Sequence, residues 1–143
     1  MFQDALPISA CIIDYQTTRI CSPTFDLLYL IVSSTSTDLR KDHFNELLDT
    51  YYRTLEQSLS LFTLELKKIY TIDMFKYDLK IVAPACLIVA NTAIWLSSGL
   101  QQEGHVKSKK NIESEEEMKN AENLYIQIVK SIIDDLRQYD LLT

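Results

Sequence analysis

Only two of the 143 residues are glycine, Gly99 and Gly104. A sheet-rich chain spends glycine on turns that need positive φ, and a phosphate-cradling loop needs it where backbone approaches ligand. This scarcity predicts a mainly α chain with no glycine-rich nucleotide loop of its own. Apolar residues make up 47% of the sequence, enough for one hydrophobic core, and the length suits one domain.

The formal net charge is −6. It disfavours nucleic acid or an anionic membrane surface as a partner, since both repel an acidic protein. The one basic run, "KSKK" at 107–110, is followed by "ESEEE" at 113–117 and reads as a solvated loop. Cys11, Cys21 and Cys86 have no CxxC spacing. An odd count of cysteines and a first ten residues unlike a secretory signal point to a reducing, cytoplasmic setting. His43 and His105 lack ligand-spaced partners and read as surface residues rather than zinc ligands.

The apolar pattern places one short buried strand at 10–15, "ACIIDY", ending in the polar turn "QTTR". Pro23 suits the first turn of a helix. That helix, "TFDLLYLIV" at 24–32, is apolar on nearly all sides and is expected to be deeply buried. Thr35 and Asp38 resemble a capping box. The helix after it, about 37–62, carries Leu39, Phe44, Leu47, Leu48, Tyr51, Leu55, Leu59 and Phe62 at three- and four-residue steps. Arg40, Lys41, Glu46, Asp49, Arg53 and Glu56 are assigned to its polar face.

Residues 63–80 are mixed, with Thr71 a plausible N-cap. The run 81–96, "IVAPACLIVANTAIWL", is shorter than a membrane span needs and is expected to be a buried core helix. Pro84 should kink it or mark its start. Residues 97–111 form a polar loop. Ser114 with Glu117 is a second capping-box candidate, opening a last helix whose stripe is Met118, Ala121, Leu124, Tyr125, Ile128, Ile132, Leu136 and Tyr139. A lone strand followed by helices leaves backbone groups unpaired, so the domain is expected to be incomplete.

One stretch carries a family pattern. Residues 12–59, from "IIDYQTTRICSPTFDLLYL" through "STSTDLRKDHFNELLDTYY" to "LEQSL", resemble the ecdysteroid kinase-like, or CHK kinase-like, proteins. The pattern there is roughly "IDFQ…SP…DL.YL…STS..LR..H…LL..YY", with Tyr15 in place of the usual Phe. The ending "NLYIQIVKSIIDDLRQYDLL" looks like the family's last helix, and 63–117 match in apolar pattern only. These proteins sit with the choline kinases and aminoglycoside phosphotransferases, which share the protein-kinase fold. The resemblance implies that 10–143 are the helical C-terminal lobe of a protein-kinase-like fold, with a short N-terminal β segment. Residues 1–9 show none of the pattern and stay unassigned.

The resemblance also assigns roles. Asp14 stands where kinases carry the aspartate of "DFG", which implies a Mg²⁺ ligand beside ATP phosphates. Asp26 implies the acid at the start of a buried helix that accepts backbone N–H groups of the catalytic loop. Read without the family, Asp14 is a strand-ending turn residue and Asp26 an N-terminal acid favoured by the helix dipole.

The family's catalytic loop, "HGD" with Asn about five residues on, does not occur in the sequence. The expectation is therefore the rear part of an ATP-dependent kinase of a small hydroxylated, lipophilic molecule, inactive alone and prone to self-association through uncovered apolar surface. The rival expectation is a non-catalytic helical interaction module derived from such a lobe. Tyr70, Phe75, Tyr77 and Trp95 could line an acceptor pocket, with core packing the simpler reading.

Overall fold

A computed structural model describes residues 2–3, 6–7, 11, 18–102 and 112–142. The chain is mainly helical. Two short strands, β1 (Phe2–Gln3) and β2 (Leu6–Pro7), pair antiparallel with Phe2 opposite Pro7 and Gln3 opposite Leu6. Among the described residues five helices follow: α1 (Pro23–Ser34), α2 (Thr37–Ser60), α3 (Leu66–Ile69), α4 (Ile72–Ser98) and α5 (Glu115–Gln138). The strand expected at 10–15 lies, apart from Cys11, outside the described residues, and Cys11 itself is not in a strand.

The helix starts follow local chemistry. Ser22 caps α1, with Pro23 at the first helical position, where its missing N–H costs nothing. Thr71 caps α4 by accepting from Met74 N at 3.2 Å. Ser114 caps α5 by accepting from Glu117 N at 3.2 Å. Glu117 reaches back to Glu113 N at 3.0 Å, one residue before the amide a capping box engages. The cap of α2 corrects the sequence expectation: Ser36, not Thr35, accepts from Leu39 N at 3.3 Å. The Thr35 hydroxyl is committed to the preceding helix, donating to Ile31 O at 2.6 Å.

A second correction concerns the middle of the chain. Residues 72–98 form one helix, and Pro84 lies inside it rather than at its start. The buried residues Phe75, Leu79, Ala83, Cys86, Ala90 and Ile94 recur at three- to four-residue steps along α4, a helical stripe. α1 lies along α4, and α5 packs on both α4 and α2. The core centres on Leu28, Phe75, Leu79, Cys86, Ile132 and Leu136. α4 is the one described helix long and apolar enough to cross a membrane by length and composition. Its buried stripe meets α1 and α5, while Ile81, Ile88 and Val89 remain exposed; the expected core helix is thus buried on one side only.

Other expectations shift for the same reason. α1 is buried on one face, at Thr24, Leu27, Leu28, Ile31 and Val32, and Leu30 is 61% exposed. On α5, Leu124 is exposed while Ala121, Ile132 and Leu136 are buried. Arg40, placed on the outer face of α2 by its charge, is 2% exposed. Its Nε donates to Asp135 Oδ2 at 2.7 Å, Nη1 donates to Thr35 O at 2.5 Å, and Nη2 reaches Thr37 Oγ1 and Ser131 Oγ at 3.3 Å. A buried charge is tolerated when its donors are met in this way.

Candidate functional site

Asp26 stands in the first turn of α1, where a carboxylate meets the positive end of the helix dipole. Its side chain is exposed and has no hydrogen-bond partner among the described residues. It forms part of the wall of an open groove of about 700 Å³ together with Arg19, Cys21, Phe25, Tyr29 and Val89. The aromatic and aliphatic wall with one carboxylate and one guanidinium is the mix that small ligands and loop backbone both exploit.

The field of that carboxylate reaches inward. Burial first, and Asp26 second, push the Tyr51 phenol above its usual range. Burial pushes the Cys86 thiol up to about 11, with Asp26 adding to the effect. Cys86 is fully buried and its Sγ donates to Phe25 O at 3.3 Å, so it behaves as a core residue and not as a nucleophile.

A hydrogen-bonded node fixes the start of α1. Ser22 Oγ donates to Asp78 Oδ2 at 2.6 Å and accepts from Thr24 N at 3.4 Å. The hydroxyl has one proton, so the 2.8 Å contact between Ser22 Oγ and Thr24 Oγ1 takes its proton from Thr24. Tyr70 O–H donates to the same Asp78 Oδ2 at 2.8 Å, and Tyr52 O–H donates to Tyr70 O at 2.8 Å. Burial raises the Tyr70 phenol most, Ser22 offsets part of that, and the hydrogen bond to Asp78 adds to the rise, leaving it at about 12. The node ties the residues just before Asp26 to α4 and so sets where the groove wall stands.

The structure thus places one of the two site residues expected from the sequence. Asp26 is at a helix start, in a groove and open to a partner. Asp14 lies outside the described residues, as does His105. His43 is exposed, with Nδ1 and Glu46 Oε2 2.8 Å apart. Of the four aromatic residues weighed as pocket lining, Phe75 is core, Tyr70 belongs to the Asp78 node, Tyr77 is 65% exposed and Trp95 packs edge-on against Tyr125 at 5.3 Å. Sequence reasoning missed Ser22 and Asp78. The Ser-Pro pair was a usable signal for the first, and nothing local marks the second. Among the described residues no three His, Cys, Asp or Glu side chains gather in a way that could hold a metal ion.

The molecule defined so far is a mainly α unit with an acid-walled groove at the start of its first helix. The model of the ecdysteroid kinase-like family matches residues 1–64, so the N-terminal part of the chain is similar to that family. The match spans both Asp14 and Asp26, and it takes in residues 1–9, where the sequence alone suggested no pattern. No curated protein and no solved structure matches the chain.

Proposed function

We propose that the chain carries the helical, substrate-side lobe of an ATP- and Mg²⁺-dependent kinase that phosphorylates a hydroxyl of a small lipophilic molecule of the ecdysteroid type. The observation that carries this reading is the family match over 1–64, with Asp26 open in a groove inside the matched region. Phosphoryl transfer depends on positioning and on electrostatic neutralisation of developing charge. Asp14 would offer a hard oxygen ligand to the divalent ion, which, when bound, neutralises charge on the nucleotide phosphates. Asp26 would accept backbone N–H groups of the catalytic loop in the groove, and the Ser22–Asp78–Tyr70 node would hold that acid in place. The 143-residue chain, with no "HGD" motif, would not turn over alone.

The second reading is a non-catalytic helical interaction module. It is supported by a self-consistent interior: among the described residues every buried side-chain nitrogen and oxygen has a hydrogen-bond partner. Reading the transcript upstream of Met1 separates the two. An in-frame "HGD" followed shortly by Asn is the expected result. A verified start at Met1 would overturn the kinase reading in favour of the module, and phosphorylation by the purified 143-residue chain would overturn its inactivity.

A further inference from the structure

A second cavity lies at the other end of α1 from Asp26. It holds about 400 Å³ between the end of α1, the start of α2, the end of α4 and the middle of α5, and it shares no lining residue with the Asp26 groove. Val32, Ile94 and Ile128 give it an apolar wall, while Ser36, Thr37 and Arg40 bring hydrogen-bond donors to it.

Several of those donors are unspent. Arg40 is 2% exposed, and a guanidinium has five N–H groups. Nε serves Asp135, Nη2 serves Thr37 Oγ1 and Ser131 Oγ, and one N–H of Nη1 serves Thr35 O. The second N–H of Nη1 has no acceptor among the described residues. The Thr37 hydroxyl receives Arg40 Nη2 at 3.3 Å, and the Ser36 hydroxyl receives Leu39 N at 3.3 Å. Each accepts in these bonds and keeps its own proton for another partner. The amides of Ser36 and Thr37, at the start of α2, likewise have no acceptor among the described residues.

A buried guanidinium N–H without a partner is costly, and a bound acceptor removes that cost. The surroundings favour a negative acceptor. The start of α2 is the positive end of its dipole, and no carboxylate lines the cavity among the described residues. Asp38 stands in the same turn but is not part of the lining. Asp135 balances the charge of Arg40, so selection rests on dipoles and hydrogen bonds, as at other helix starts that hold phosphate. Donors on two hydroxyls, two amides and one guanidinium suit the three oxygens of a phosphate monoester better than the two of a carboxylate. The cavity is also of small-molecule size, and its apolar wall offers a dry surface to a carbon body.

We propose that this cavity binds the phosphate group of a small phosphorylated molecule, with the molecule's apolar body against Val32, Ile94 and Ile128. The proposal is independent of the kinase reading, since it uses no residue of the Asp26 groove.

Calorimetric titration of the purified chain with n-butyl phosphate, at about pH 8 where the phosphate is a dianion, tests it. Saturable binding is expected, tighter than that of inorganic phosphate, with none for 1-butanol. Ser36→Asp keeps the cap of α2 but sets a carboxylate at the cavity, and is expected to weaken binding at least about tenfold. Thr37→Val removes one donor and is expected to weaken it about tenfold. Asp26→Asn should leave the affinity unchanged, which separates this cavity from the groove. A folded wild-type chain that does not bind n-butyl phosphate overturns the proposal. So does undiminished affinity in the folded Ser36→Asp and Thr37→Val variants, or affinity lost in Asp26→Asn. Inorganic phosphate bound as tightly as n-butyl phosphate also overturns it, by assigning the cavity to the free ion. Should Ser36→Asp fail to fold, Thr37→Val decides alone.

Discussion

Arg40 Nε lies 2.7 Å from Asp135 Oδ2, with both side chains almost fully buried, and this pair locks the start of α2 to the end of α5. Tyr139 reinforces the junction, donating to Arg40 O at 2.9 Å and stacking on Phe44 at 4.2 Å. Removing one partner strands a charge, which costs far more than replacing both. Asp135→Ala should therefore cost about 3–5 kcal/mol, read from urea unfolding. Arg40→Met/Asp135→Leu should be markedly less damaging than either single change. A double variant as unstable as the sum of the singles would show the pair to be uncoupled.

The two hydroxyls at the α1–α2 junction have different jobs, and substitution separates them. Ser36 caps α2, so Ser36→Ala should lower stability by about 1 kcal/mol, and Ser36→Asp should retain it. Thr35→Ser keeps the hydroxyl that donates to Ile31 O and should be close to neutral. Thermal melts of the three variants decide this. If Ser36→Ala melts at the wild-type temperature, the cap has been placed on the wrong residue.

Pro84 sits inside a 27-residue helix and deprives the Lys80 carbonyl of its helical donor. Interior proline costs about 3 kcal/mol relative to alanine. Pro84→Ala should raise the unfolding midpoint of the chain. An unchanged or lower midpoint would mean that the ring has a packing role within the chain.

Much of this architecture could be read from the residues, and the failures share one cause. The helical period of α2 and the caps at Thr71 and Ser114 are local signals, and local chemistry decided them. Arg40 was misplaced because the group that makes its burial tolerable lies 95 residues away. Pro84 left two readings open, a kink or a helix start, because propensity alone cannot show a helix continuing through a proline when its flanks are packed by α1 and α5. The one-sided burial of α1 and α4 was hidden because both helices are apolar around most of their circumference. At the site, the position of Asp26 at a helix start was legible from Pro23, but the groove beside it needs Val89, brought in by the packing of α1 on α4.

Two very weak acids, the buried Cys86 and the half-buried Tyr70, set an alkaline limit on stability. Cys86 is raised from its ordinary 9.0 to about 11 and Tyr70 from 10.0 to about 12. Each holds its proton more tightly folded than unfolded, so the unfolded state loses protons first as pH rises. Stability should be flat below about pH 9 and fall between pH 9 and 12. Cys86→Ala should flatten the lower part of that fall and Tyr70→Phe the upper part. Unfolding midpoints that stay level across this window in the wild type would contradict the placement of Cys86 in the core and of Tyr70 against it.

Transfer of the γ-phosphoryl group of ATP to a lipophilic alcohol, measured on the protein encoded by the complete transcript, bears most directly on the assignment of this chain to a kinase. Transfer should require Mg²⁺, fall below detection in Asp14→Asn and drop in Asp26→Asn without loss of fold. Undiminished transfer in Asp14→Asn, or a complete transcript whose protein transfers nothing, would contradict it.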